Sequence, residues 1–163
     1  MHGLGSSSVA SRRLSWDEYF LNGARWVATR ADCTRAQVGA VLVNANHEVR
    51  GTGYNGAPAG VPGCASTGSC PRGQHARTRR PFEDWKCTCG ESWPCPNASE
   101  PDSDYSNCIA DHAERNAIEH TPPNELPGST LYVTREPCPQ CWTLILASGI
   151  ARVVTPGRAY KRG

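Results

Sequence analysis

Long hydrophobic runs are missing from this 163-residue sequence. None approaches the roughly 18 apolar residues that a membrane-spanning helix needs, so no membrane partner is expected. The opening stretch MHGLGSSSVASRR has no hydrophobic segment of the secretory-signal kind. It reads as a Gly/Ser-rich lead-in over residues 1–14, and a cytoplasmic protein is expected. A strong charge of one sign is missing too. The formal net charge is +2, which points to no particular polyanionic partner. Lysine is scarce, with two residues against fifteen arginines. Internal repeats are absent. The length suits one domain with a real core, placed at residues 15–163.

Cysteine, by contrast, is plentiful. Nine occur, an odd number, in a chain with no secretory signal, which argues against a disulfide framework and for bound metal. They fall in groups: Cys33; Cys64 and Cys70; Cys87, Cys89 and Cys95; Cys108; Cys138 and Cys141. Six of the nine lie in Cys64–Cys108, a stretch without hydrophobic periodicity. So long a segment without its own structure is unusual in a compact domain. Metal is the natural substitute for a core there, and an insertion at about 65–107 is expected to be zinc-stapled. Within it, PRGQHARTRRP carries four arginines, Arg72, Arg77, Arg79 and Arg80. That cluster reads either as a charged surface loop or as an anion or nucleic-acid contact.

Regular structure is legible on both sides of the insertion. SWDEYFLNGARWVATRA opens with an S-x-x-E capping box, Ser15 to Glu18, and reads as a helix. Its aromatic residues, Trp16, Tyr19, Phe20 and Trp26, are expected in the core. VGAVLVN and EVRGTGY are β-branched runs joined by NANH, an antiparallel hairpin. NGAPAGVPG is a loop. A helix over about Asp111–His120, a strand TLYVT, a helix in CPQCWTLILASG stopped at Gly149 and a strand ARVVT follow. PGRAYKRG reads as a tail. Alternating strands and helices imply a three-layer α/β/α fold on a mixed central sheet.

Two short motifs carry the chemistry. HAE occupies residues 112–114 and PCPQC residues 137–141. A catalytic zinc takes three protein ligands and keeps a fourth position for water; His112, Cys138 and Cys141 supply them. A C-x-x-C at a helix start suits two thiolates, because the exposed N–H groups and the helix dipole favour negative charge. Glu114, two residues from His112, reaches the open position without ligating. It would act first as base and then as acid. H-x-E and P-C-x-x-C together form the zinc deaminase signature.

On these residues the sequence resembles the cytidine deaminase superfamily, and within it the deoxycytidylate (dCMP) deaminase family. The likeness rests on SWDEYF, CTRAQVGAVLV, GYNGAPAG, HAERNAI and TREPCPQCWTLILASGI. It runs from about Ser15 to Thr155, apart from much of the segment between Cys70 and Cys108. The resemblance implies a cytidine-deaminase-like fold and one catalytic zinc. Asn55 and Gly56 of the glycine loop are implied to contact sugar and phosphate, with the backbone of Ala113 near the base and Tyr160 closing the site. It also implies a structural zinc at Cys33, Cys64, Cys70 and Cys108. A third ion could be held by Cys87, Cys89, Cys95 and His75. Family members continue after the ARVVT segment with a further helix and strand, where this sequence has PGRAYKRG.

The expected reaction is hydrolytic deamination of dCMP, or a modified dCMP, to dUMP with release of ammonia. A homo-oligomer is implied, with dCTP and dTTP as candidate effectors. The near-balanced charge and the glycine loop favour a small nucleotide over nucleic acid. Two other readings stand beside it: a deaminase of bases in nucleic acid (a tRNA adenosine or single-strand cytosine), with RTRR and Trp85 as contacts, and a zinc-binding module without catalysis.

Overall fold

The computed structural model describes residues 12–68, 90–92 and 108–163. Cys70, His75, Trp85, Cys87, Cys89 and Cys95 lie outside the described residues, as does most of the 65–107 insertion with its arginine cluster. The elements run α1 (Trp16–Ala28), β1 (Gly39–Val43), β2 (Val49–Tyr54), the short α2 (Cys64–Thr67), α3 (Ala113–Glu119), a single 3₁₀ turn (Pro123–Glu125), β3 (Thr130–Val133), α4 (Pro139–Ala147), β4 (Arg152–Thr155) and β5 (Arg158–Lys161). No described helix is long and apolar enough to cross a membrane.

The five strands form one mixed sheet in the order β2-β1-β3-β4-β5. The hairpin pairs β1 and β2 antiparallel, with an irregularity between Leu42 and Val43. β1 pairs antiparallel with β3, β3 parallel with β4, and β4 antiparallel with β5. Side chains alternate across a sheet, and here the alternation separates two cores. Ala40, Leu42, Leu131, Val133 and Val153 pack with Ala113, Ala117, Ile118 and Ile145 from α3 and α4. Val41, Val43, Tyr132 and Val154 pack on the other face with Phe20, Leu21, Ala24 and Val27 of α1. The expected three layers and mixed sheet are therefore present.

α1 starts where the capping box puts it. The Ser15 hydroxyl accepts from the Glu18 amide, and the Glu18 carboxylate accepts from the Ser15 amide. Its aromatic residues do not behave as expected, however. Phe20 is buried, but Trp16, Tyr19 and Trp26 are 48%, 56% and 76% exposed. At about 100° per residue, the face centred on Phe20, Ala24, Val27 and Ala28 meets the sheet. Tyr19 and Trp26 then point away from it. Trp16 instead stacks on the His47 ring at 4.1 Å. The first turn of α1 is tied to β4, since Arg152 grips both oxygens of Asp17 at 2.5 and 2.7 Å, and the Tyr132 hydroxyl donates to the same carboxylate at 2.9 Å. Burial, with that anionic partner adding to it, pushes the Tyr132 hydroxyl up to about 12. With both side chains about a third exposed, the ion pair contributes at most about 1 kcal/mol.

The expected tail is also different. Pro156–Gly157 makes a tight turn, and Arg158–Lys161 returns antiparallel to β4. The Pro-Gly pair is the turn signal, and RAYK is short enough to hide an edge strand. Gly149, at φ 78°, ends α4 at the expected place.

α3 lies against β2 with almost no space between the backbones. A Cβ on Gly53 would collide with the Ala113 carbonyl and the Ala117 amide, and one on Gly51 with the Thr121 hydroxyl and, at 2.7 Å, the Ala117 carbonyl. Only glycine allows this approach. α3 also covers the edge strand: Asn116 donates to the Tyr54 carbonyl at 2.8 Å, and His120 Nδ1 lies 3.0 Å from the Thr52 carbonyl. Outward-facing backbone groups of an edge strand are thereby satisfied. Gly53→Ala is expected to cost about 1–3 kcal/mol by overpacking. Urea unfolding checks this; an unchanged midpoint would contradict the close packing.

Candidate active site

Two helix starts meet on the α3/α4 face of the sheet. His112 is the N-cap of α3 and Cys138 the N-cap of α4, both with extended backbone and neither with a side-chain capping bond. Pro139 occupies the first turn of α4, where its missing N–H costs nothing. Cys141 follows one turn on. This brings His112 Nδ1 to 3.2 Å from the Cys141 sulfur and 3.5 Å from the Cys138 sulfur. The three ligand atoms all lie within 4.8 Å of one another.

These donors fit zinc. A tetrahedral ion with Zn–N of ~2.0–2.1 Å and Zn–S of ~2.3 Å sets nitrogen and sulfur roughly 3.5 Å apart. The electrostatics point the same way. Burial pushes the Cys141 thiol up, and the nearby Glu114 carboxylate and Cys138 add to this. Two thiolates are unfavourable there without a cation, and a zinc ion provides one.

Glu114 occupies the second position of α3 and is 5% exposed. Burial is the main influence and holds its carboxyl above the ordinary range, although His112, a contact with Cys141 and the charge of Arg135 act the other way. The group is within reach of the metal ligands without being one of the three that converge.

A cavity of 380 Å³ opens onto this centre. His112, Ala113, Glu114 and Cys138 form its floor; Asn55, Cys64, Cys108 and Ala110 line one part of the wall, and Cys33, Arg35, Ala36, Val38, Arg135 and Glu136 the rest. Its size falls in the range of small-molecule pockets, ~300–1,000 Å³. Sequence reading missed Arg35, Arg135 and Glu136. The only signal was adjacency, since they stand within CTRAQVG and immediately before PCPQC.

Asn55 lines the cavity but is also a structural clamp. It is 9% exposed. Its side-chain oxygen accepts from the Val38 amide at 2.8 Å and its nitrogen donates to the Ala36 carbonyl at 2.9 Å. Gly56 is not among the described residues lining the cavity. It exchanges two backbone hydrogen bonds with Asp111, 2.8 and 3.2 Å long, and so ties the glycine loop to the approach of α3. Tyr160 does not line the cavity either. Its hydroxyl donates to Glu136, and its ring meets Trp142 edge-on at 4.8 Å. Cys33, Cys64 and Cys108 share the cavity wall. Among the described residues, though, His112, Cys138 and Cys141 are the one group of three or more candidate ligands that converges.

Asp32 fixes the rim beside Cys33 and Cys64. Its carboxylate accepts from the amides of Gly63 (3.1 Å) and Ser66 (2.7 Å) and from the Ser66 hydroxyl (2.6 Å). The Ser66 contacts lead in holding its carboxyl below the ordinary range.

Comparison with known proteins gives a consistent picture. Residues 14–156 match the family described as the cytidine and deoxycytidylate deaminase zinc-binding region. A deoxycytidylate deaminase of Mycobacterium phage D29 is 47% identical over 144 residues, covering 88% of this chain and 96% of that protein. The deoxycytidylate deaminase of Homo sapiens is 30% identical over 147 residues, covering 90% of this chain and 67% of the relative. That of Schizosaccharomyces pombe is 33% identical, but this chain spans only 37% of its length. In fold, the chain is similar to the crystal structure of dCMP deaminase from the cyanophage S-TIM5 in complex with dCMP and dUMP. The TM-score is 0.53 at 22% identity, covering 88% of this chain and 82% of the other.

Asn55→Ala is expected to lower stability by about 1–3 kcal/mol, since it leaves the half-buried Val38 amide and Ala36 carbonyl without their Asn55 partner. Denaturant unfolding reads the loss. A cost within error of zero would mean that the clamp holds nothing.

Proposed function

Because the chain belongs to the cytidine and deoxycytidylate deaminase family, we propose that it is a zinc-dependent hydrolase that converts dCMP to dUMP and releases ammonia. The observation that carries this reading is the convergence of His112, Cys138 and Cys141 beside the buried Glu114 on one cavity floor. The relatives named deoxycytidylate deaminase support a mononucleotide substrate over a base held in a polymer. A zinc-binding module without catalysis would have no use for a buried carboxyl at that position.

His112, Cys138 and Cys141 hold the zinc. The ion supplies Lewis-acid activation of water at neutral pH. Glu114 does the proton work. It takes a proton from the attacking water and passes it to the cytosine ring nitrogen. It then takes the remaining proton of the added hydroxyl and delivers it to the amine as the C–N bond breaks, so that the water oxygen stays as the carbonyl, one water proton stays on the ring nitrogen and the other leaves in ammonia. Its burial suits the first role, because a carboxyl held above its ordinary range by burial takes up a proton more readily. Ala113, fully buried on the floor, offers backbone groups to the base edge.

The same reading includes a structural zinc drawing on Cys33, Cys64 and Cys108, with Cys70 as the fourth ligand, and self-association with dCTP and dTTP as effectors. Elemental analysis counts the ions and light scattering the subunits.

Glu114→Gln is expected to lower kcat on dCMP by at least ~10²–10⁴-fold while zinc content and the unfolding midpoint stay at the wild-type values. Ammonia release and metal analysis on the same sample check both halves. Wild-type protein that releases no ammonia from dCMP would overturn the reading. Cys138→Ala, by contrast, is expected to lose one zinc per chain together with activity.

A further inference from the structure

The chain enters α4 through a stiff lever. Glu136 and Cys138 are each followed by a proline, Pro137 and Pro139. A proline ring fixes its own φ and holds the residue before it extended. Cys138 has that backbone, with φ −70° and ψ 165°. The direction in which its sulfur leaves the chain is therefore set by where Glu136 is held. On the β3 side the chain is paired at Thr134. The Thr134 amide donates to the Gly39 carbonyl at 3.0 Å, and its hydroxyl accepts from the Gly39 amide at 3.1 Å. Residues 135–137 then run on without helix or strand.

β5 supplies the hold. Tyr160 is the cross-strand partner of Val153 in β4. Partners directly opposite share a face of the sheet, and Val153 belongs to the core beneath α3 and α4. From there the Tyr160 hydroxyl donates to the Glu136 carboxylate. Its ring meets Trp142 edge-on, with centroids 4.8 Å apart and planes at 75°. Glu136 stands two residues before Cys138, and Trp142 directly after Cys141. One side chain thus touches both ends of the segment that carries the two thiols. Neighbours on β5 hold the arrangement in place. The Arg158 guanidinium lies 5.7 Å from the Tyr160 ring centroid and donates to its hydroxyl at 3.4 Å. Arg162 donates to the Leu146 carbonyl of α4.

Exposure decides what the Tyr160–Glu136 contact is for. Glu136 is exposed, and polar contacts of exposed charged groups add little to the stability of a fold. Ligand orientation is more sensitive. Groups that orient metal ligands from outside change metal affinity by about 10- to 100-fold.

We infer that Tyr160 is a positioning residue for the zinc-binding segment: it holds Glu136 and Trp142 so that the Cys138 and Cys141 sulfurs face His112 before the ion arrives. This rests on the reading of His112, Cys138 and Cys141 as zinc ligands. It adds to them a residue that does not line the cavity.

Zinc release from the loaded protein to a chromogenic chelator tests this. The phase missing from Cys138→Ala belongs to this centre. Tyr160→Phe keeps the ring on Trp142 and removes the hydroxyl. It is expected to release that ion about 10-fold faster, as is Glu136→Ala. The double variant should release it no faster than the faster single one, because both changes remove the same contact. Tyr160→Ala, which also takes the ring from Trp142, should be faster again. Cobalt loaded in place of zinc reads the ligand geometry, and its visible absorption bands should shift in Tyr160→Phe. Asp17→Ala breaks the ion pair with Arg152 and controls for general loosening; its release rate and cobalt bands should match wild type. Unchanged release and unchanged cobalt bands in Tyr160→Phe would overturn the inference. So would an equal acceleration in Asp17→Ala, or fully additive effects in the double variant. A wild-type protein with no release phase that depends on Cys138 would instead remove the reading on which the inference stands.

Discussion

The site depends on one close contact, the backbone of α3 pressed against the glycines of β2. At Gly51 and Gly53 there is no room for a methyl group. The helix therefore sits closer to the sheet than side-chain packing would permit. Ala113 and Ala117, both fully buried, fill the seam. This depth buries Glu114 in the next position along, and the burial changes its proton chemistry. It also fixes the height at which His112 leaves the helix start. The hydrogen bonds of Asn116 and His120 to β2 add direction to what the glycines allow. Two residues with no catalytic role thus hold the helix that carries two central ones.

The second helix start answers an electrostatic problem. Cys138, Cys141 and Glu114 bring three groups capable of negative charge into a small, largely buried volume. Burial pushes both the Cys141 thiol and the Glu114 carboxyl up, and the neighbouring Glu114 and Cys138 push the thiol further. The N-terminal end of α4 relieves a fraction of this through its dipole, worth roughly 0.3–1 kcal/mol. That is small beside the cost of a buried thiolate. A divalent cation held by His112, Cys138 and Cys141 would resolve it. The β5 edge supports the same loop, since Tyr160 reaches Glu136, two residues before Cys138.

Much of this was legible in the amino-acid sequence, for local reasons. A capping box, a hairpin of β-branched runs and a glycine stop each depend on a few adjacent residues. HAE and PCPQC are equally local, and a tetrahedral ion needs just such pairs, one from each of two helix starts. The misreadings concern longer-range matters. Trp16, Tyr19 and Trp26 looked like core because they are aromatic, but which face of α1 meets the sheet is decided by Phe20, Ala24, Val27 and Ala28. RAYK looked like a tail because four residues carry too little alternation to mark an edge strand. Cys33, Cys64 and Cys108 are a different case: they come to one cavity wall, and Cys70, expected beside them, lies outside the described residues.

The same distinction separates the metal-ligand cluster from the cavity wall around it. The reacting centre is assembled from two short segments, each held rigidly by its own helix. The rest of the wall comes from the approach to β1, the glycine loop and the β3–α4 loop, which lie up to 100 positions apart, as Arg35 and Arg135 do. Nothing in either motif marks those arginines. Their placement follows from the sheet order, in which β1 and β3 are neighbours, so that the segment before one and the loop after the other open on the same side. Antiparallel pairing of β1 and β3 makes this obligatory: the start of one strand lies beside the end of the other. That Arg35 and Arg135 share one cavity wall is therefore a direct consequence of strand direction.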